Sequence, residues 1–404
     1  MEVRERLFWW LTCIGVTLLM SILVARGILR EIPGTNSFGA LAEAFLNGRL
    51  DVVRCPEIDC AVFNGRTYII FPPLPAILLM PVVALTGFAG LKGLVFMGAA
   101  IVGIALFVWS RIFMAMGVNR RLAIWLLVAL GFASPLYQIA LRADGVWFSA
   151  QTLGFLMATL SLWAVICRQS LVLAGLFVAL AFLCRQMSIF YPLFLVFLAA
   201  RPDAPLIAEG RRLLRPVLLA GIPVVVALLL TLAYNAARFG NPFETGYAFI
   251  SNPGNDGFVW RRIQDVGIFS VQYVPFNLLY LFLQGIHFEF SGPHLTTIKG
   301  LDKNGVALLV ASPWLIMALF ARVDRVFAAG MATILIIVGI MLFYHSNGAD
   351  QFNSQRYVLD WLPILIVLML RGERAPAYAA FPVLVTWGVL THAAVFALNI
   401  ALRT

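Results

Sequence analysis

Charge is what this chain has least of. Only 12% of its 404 residues are charged, against 62% that are hydrophobic, and the mean hydropathy is +0.92. That balance excludes a soluble domain, whose core must be wrapped in polar residues. Histidine and cysteine are scarce, at four and five residues, and no His/Cys spacing of a metal site stands out. Also lacking are the alternating segments of about ten residues that build a transmembrane barrel, any fixed-period repeat, and a signal-peptide cleavage pattern after the first apolar run, Phe8 to Val24. The net charge of +10 comes from basic residues dispersed through short connections rather than massed on one stripe, which argues against a nucleic-acid partner.

What the chain does have is apolar runs. A helical span needs ~20 predominantly apolar residues, and the Leu, Val, Ala and Phe runs supply about eleven. The expected architecture is an all-α polytopic membrane protein, one integral domain over residues 1–404 with no separate soluble part. Phe8 to Val24 reads as the first span, its N-terminal side cytoplasmic because Arg4 and Arg6 flank it. Tyr68 to Phe88 is apolar but carries Pro72, Pro73, Pro75 and Pro81. Prolines there remove backbone donors, so we read a re-entrant or interfacial segment rather than a span. With that choice every short connection on the cytoplasmic side is basic, among them Arg111, Arg168, Arg322 and Arg371; a full span would invert them all.

Polar complexity then falls on the external face, which takes thirteen of the nineteen carboxylates. Two long external stretches are expected, residues 26–92 and 235–305. In the first, Asn36 to Asn47 sets Phe38, Leu41 and Phe45 on one helical face and should lie along the membrane surface; in the second, Phe269 to Leu283 reads as another interfacial helix. Arg49 to Pro81 fastens Asp51, Glu57 and Asp59 directly to apolar sequence. Cys55 and Cys60, the only cysteines on that side, would close a small disulfide loop around Glu57 and Asp59 in an oxidising compartment.

The fragments GRTYIIFPPLPA, ALRADGVWFSAQ, LAGLFVALAFLCRQ, YNAARFGNPFETGY and SQRYVLDWLP follow in this order, with their polar ends on one side. In that order the chain resembles membrane glycosyltransferases of the C-type fold, of the family 39 kind that includes protein O-mannosyltransferases and the lipid A aminoarabinose transferase. The resemblance implies an enzyme of the inner cell membrane. It would transfer sugar from a polyprenyl-phosphate-linked donor to a lipid, glycan or protein acceptor at the external, periplasmic face. It also implies an acidic base in the first external loop and basic residues on the donor phosphate. The family often has Asp, or Asp-Glu, at the start of the surface helix, where this chain reads Gly34-Thr35-Asn36.

Asp59 is the first candidate for the displaced base, since attack by a hydroxyl on an anomeric carbon needs a carboxylate within hydrogen-bond reach. Its bland alternative is an exposed loop acid. Glu57 is the nearest substitute, and Asp144, beside Arg142, would orient substrate or hold a divalent cation, unless the two form a structural ion pair. Glu31 and Asp51 read as solvated. Arg356, next to Tyr357, and Arg185 are candidates for the donor phosphate, a fork of donors suiting phosphate oxygens; a snorkelling arginine is the alternative. The resemblance gives substrate contacts to Tyr68, Arg142 and Tyr247. The sequence requires no cofactor. A lipid-linked-sugar flippase and a non-catalytic envelope scaffold are the competing functions.

Overall fold

The computed structural model describes residues 18, 20–200, 210–252, 257–349, 351, 353–372 and 380–401. Arg4, Arg6 and most of the expected first span lie outside these; its last residues run into a helix over 20–30. The protein is mostly helical, and five helices are long and apolar enough to cross a membrane: Leu94–Ala115, Val146–Arg168, Leu213–Phe239, Arg325–Phe343 and Ala380–Asn399.

Other expected spans are shortened, and proline marks each break. Leu122 to Ala140 divides into the helices Arg120–Phe132 and Leu136–Leu141, with Pro135 between them. Val306 to Phe320 becomes a turn of helix, Leu308–Ala311, followed by the 3-10 stretch Pro313–Phe320. Tyr357 to Leu370 starts as the 3-10 turn Arg356–Asp360 and turns α-helical at Leu362, with Pro363 in the first turn. In each case the ring blocks the preceding turn and removes a donor.

The Pro-rich segment folds as a hairpin strand followed by the helix Leu74–Thr86, which has Pro75 in its first turn and Pro81 inside. Its 13 residues reach roughly 20 Å, short of the ~30 Å hydrocarbon layer. The helix Ser37–Leu46 forms where the sequence places it, with the Asn36 side chain accepting from the Phe38 and Gly39 N–H groups at its start. Its apolar face is not laid on a membrane, however. Phe38, Leu41 and Ala42 are completely covered, packed with Leu79 and Val83 of the prolyl helix.

Two antiparallel hairpins depart from the all-α expectation: Cys60–Phe63 with Arg66–Ile69, and Phe288–Ser291 with Thr297–Leu301. The first closes through Asn64-Gly65, both at positive φ (49° and 73°), the pairing that suits a two-residue hairpin turn. Glu31 is a further correction. It is buried rather than solvated, and it accepts from the Gly93, Leu94 and Val95 N–H groups that open the helix Leu94–Ala115.

The core runs between the long helices, with Trp109, Trp314 and Tyr191 fully enclosed. Gly154 bears on the site: a Cβ there would stand 2.7 Å from Arg185 Cγ, so only glycine lets that arginine lie across the helix Val146–Arg168. The polar segments expected on one face do meet at one end of the helices. Trp147 there bonds Asp59, Arg185 bonds Asp360, and Ala61 pairs with Ile250 across a β-bridge.

Candidate functional site

The site is organised by the first turns of the helix Val146–Arg168, within the fragment ADGVWFSAQ. Successive residues there serve different partners. The Val146 N–H donates to Glu57 Oε1 (3.0 Å), Trp147 Nε1 donates to Asp59 Oδ2 (3.2 Å), and the Phe148 ring lies 4.9 Å from the Arg356 guanidinium carbon. One turn further, Gln151 Nε2 donates to the Arg356 carbonyl (2.7 Å). Gln151 lies one turn from both Trp147 and Phe148, so one short segment fixes a carboxylate and a guanidinium together.

Glu57 and Asp59, both half-buried, are held in different ways. Glu57 bridges two helix starts, taking the Ser37 N–H on Oε2 (2.8 Å) and the Val146 N–H on Oε1. It thereby satisfies orphan donors at the positive ends of both helices, a structural use of a carboxylate. Burial pushes its pKa above the ordinary range, and the Val146 and Ser37 N–H groups pull the other way. Asp59 sits in the left-handed backbone region, φ 68°, with its N–H donating to Asn252 Oδ1 (3.1 Å). Among the described residues its carboxylate accepts from two side chains, Trp147 Nε1 and Asn252 Nδ2, the latter at 3.3 Å on Oδ1. Burial raises its pKa too, opposed by Asn252 and Trp147. A carboxylate raised above its ordinary range by burial is a better proton acceptor than a solvated one. The disulfide Cys55–Cys60 forms, with the two Cα atoms 5.9 Å apart, and encloses both acids.

Facing Asp59 is a wall of aromatic hydroxyls and arginines. Tyr247 hydrogen-bonds Tyr344 and lies within electrostatic reach of Asp59, Arg185 and Tyr357. The Tyr357 ring stands 5.2 Å from the Arg185 guanidinium carbon and 5.0 Å from that of Arg356. Arg185 is engaged, its Nε and Nη2 donating to the two Asp360 oxygens at 3.1 and 2.5 Å. Arg356 is 8% exposed, yet among the described residues its Nε and Nη1 have no hydrogen-bond partner. Its backbone is rigid, since Gln151 takes its carbonyl and Gln351 Oε1 accepts its N–H (3.2 Å). His345, nearby in sequence, adds no charge: burial pushes it down to about 4, and its Nδ1 lies 3.3 Å from the Ile268 carbonyl.

The structure thus brings together Asp59, Arg185, Tyr247, Arg356 and Tyr357. It leaves three candidates to the side. Asp144 is exposed in a turn and contributes its carbonyl, which accepts from Asn36 Nδ2 (2.7 Å). Tyr68 is buried with its ring 5.3 Å from that of Phe239, behind the hairpin. Arg142 reaches the Phe148 ring, 4.5 Å away, and so borders the cleft. Among the described residues no group of three or more His, Cys, Asp or Glu side chains could hold a metal. Trp147, Phe148, Asn252, Tyr344 and Asp360 are the members that sequence reasoning missed. The aromatic pair one residue beyond the Asp144-Gly145 turn was the available signal for the first two. The chain matches no known protein family, no curated protein and no solved structure.

Proposed function

We propose that the chain is an integral membrane glycosyltransferase of the C-type fold, moving a sugar from a polyprenyl-phosphate-linked donor to an acceptor hydroxyl at the external face of the membrane. The observation that carries this reading is Arg356, a guanidinium that is buried, rigidly held and, among the described residues, without a hydrogen-bond partner on Nε or Nη1; it lies against the Phe148 ring, and the adjacent Trp147 holds Asp59. A buried charge with unmet donors is costly, and an anion placed there removes that cost. In the proposed reaction the donor phosphate lies against Arg356 and the Arg185–Tyr357 wall. The acceptor oxygen bonds to the anomeric carbon as the bond from that carbon to the phosphate oxygen breaks. The hydroxyl proton goes to Asp59, and the electron pair leaves on the polyprenyl phosphate, whose charge Arg356 stabilises.

A flippase is less favoured. Ionisable side chains are scarce in the middle of the helices long enough to cross, while Asp59, Arg185, Arg356 and Asp360 gather at one end. The test is transfer of radiolabelled sugar from a panel of polyprenyl-phosphate donors to envelope acceptors, in membranes carrying wild type or Asp59→Asn. Transfer by the wild type that is lost in the variant, with expression and lipid binding kept, supports the enzyme. Equal transfer by both removes Asp59 from the chemistry. Donor binding with no transfer from any donor supports the flippase or scaffold instead.

A further inference from the structure

The last turns of the helix Gly210–Phe239 carry a polar stripe that the cleft around Asp59 does not use. Thr231, Tyr234, Asn235 and Arg238 recur at the spacing that puts them on one face. The same helix exposes apolar side chains elsewhere, Leu229 and Leu230 among them. Polar and ionisable groups on such a helix are expensive, and as a rule they mark a binding path.

The stripe lines a cavity of about 20 Å³, closed on its other sides by Gln186, Phe182 and the Phe71–Pro73 turn. That exceeds the ~10–15 Å³ that admits one water-sized group, so single oxygen atoms of a larger ligand can enter. Arg238 is 5% exposed. Its Nη1 donates to the Ile69 carbonyl and its Nη2 to Asn235 Oδ1, both at 2.7 Å, while the Tyr234 ring lies 3.9 Å from its guanidinium carbon. Among the described residues, Arg238 Nε and the Tyr234 hydroxyl have no partner, and the titratable groups acting on Arg238 are Tyr234 and Tyr68, with no carboxylate. A buried cation with a spare donor, a spare hydroxyl beside it and a cavity in front is a receptor for negative charge.

We infer that Arg238 and Tyr234, with Thr231 and Gln186, form a second anion subsite that takes a phosphate or carboxylate group, either carried on a membrane lipid or free in solution. It is separate from the Arg356 position. Phe71 lines this cavity and packs edge-on to Trp147, with ring centres 6.4 Å apart, and Trp147 in turn holds Asp59. The two anion positions therefore lie on either side of one aromatic wall. If the occupant is the acceptor of the proposed transfer, that identification rests on the proposed function; binding at Arg238 does not.

The test is equilibrium binding to the full chain in phosphatidylcholine nanodiscs, with radiolabelled phosphatidic acid and inorganic phosphate as probes. The wild type should show a saturable component for one probe that Arg238→Gln loses and Arg356→Gln keeps. Tyr234→Phe, which removes a single hydroxyl and spares the fold, should weaken that component about tenfold. Phosphatidic acid that inorganic phosphate does not displace identifies a lipid-borne anion; displacement at equal affinity identifies free phosphate. Binding of both probes to Arg238→Gln and Tyr234→Phe with wild-type affinity and stoichiometry would overturn the subsite. Absence of sugar transfer would bear on the proposed function and leave this result standing.

Discussion

Arg371, half-buried, and Arg356, buried, sit at opposite ends of the bundle, and they differ in how their charge is met. Arg371 reaches Asp324, at the start of the helix Arg325–Phe343, with two hydrogen bonds of 3.0 and 2.8 Å. Arg356 has aromatic faces around it but no acceptor on Nε or Nη1, and the nearby Asp360 is taken by Arg185. At one end the fold compensates its own charge; at the other it holds a charge in readiness. The same contrast recurs two residues apart in one disulfide loop. Glu57 is used up by backbone N–H groups at two helix starts, while Asp59 is steadied by Trp147 and Asn252 and keeps its outer lone pairs. Burial alone therefore does not distinguish a structural ion from a functional one. The completeness of its partners does.

The largest expected effect separates the two arginines. Arg356→Gln should lower the rate of sugar transfer about 10²–10³-fold, the usual consequence of removing a donor that stabilises a leaving anion. Arg371→Gln should leave turnover per folded molecule unchanged. Transfer rates normalised to folded protein check this, and equal losses would erase the distinction.

Next comes stability at the paired end. Asp324→Asn should cost about 2 kcal/mol, because it leaves the half-buried Arg371 without its carboxylate; denaturant midpoints in detergent measure it. Burial pushes Asp324 up, but the Arg371 hydrogen bonds and the Phe327 N–H outweigh it and hold its pKa below the ordinary value. The unfolded state therefore binds the proton more readily. This stabilisation is present above ~pH 4 and is lost as pH falls through the lower, folded pKa. Acid titration should show that loss in the wild type and not in Asp324→Asn.

Within the disulfide loop the expected differences are smaller. Glu57→Gln should cost about 1–2 kcal/mol, since one carboxamide oxygen cannot serve both helix starts as well as a carboxylate. Asp59→Asn should change stability by less than about 0.5 kcal/mol, because asparagine tolerates the left-handed backbone at that position. Thermal melts of the two variants make the comparison directly. Last, Trp147→Phe removes a hydrogen bond that lowers the Asp59 pKa. The acid limb of the transfer rate, already above the ordinary aspartate range, should move to still higher pH.

Much of the local detail was legible in the sequence, because it depends on neighbours. The Cys55–Cys60 bridge, the Asn36-capped helix and the failure of the Pro-rich run to form a long helix are all short-range consequences of residue type. The Asn64-Gly65 hairpin is an equally local signal, an Asn-Gly pair between two short strands. The roles of Glu31, Glu57 and Arg185 were not readable. Each depends on which helix start or carboxylate tertiary packing brings close, across long stretches of chain. The span boundaries suffered from a related loss. Apolar composition marks membrane sequence, but Pro135 and Pro313 decide where a helix breaks, and hydropathy does not register them.

The central claim is that Arg356 awaits a phosphate. Its most direct test is binding of a radiolabelled polyprenyl phosphate to the purified chain in phosphatidylcholine nanodiscs, comparing wild type, Arg356→Gln and Arg371→Gln. The account predicts saturable binding by the wild type and by Arg371→Gln, and a loss of at least tenfold in affinity for Arg356→Gln, the cost of one charge-assisted contact. Undiminished binding by folded Arg356→Gln would contradict it.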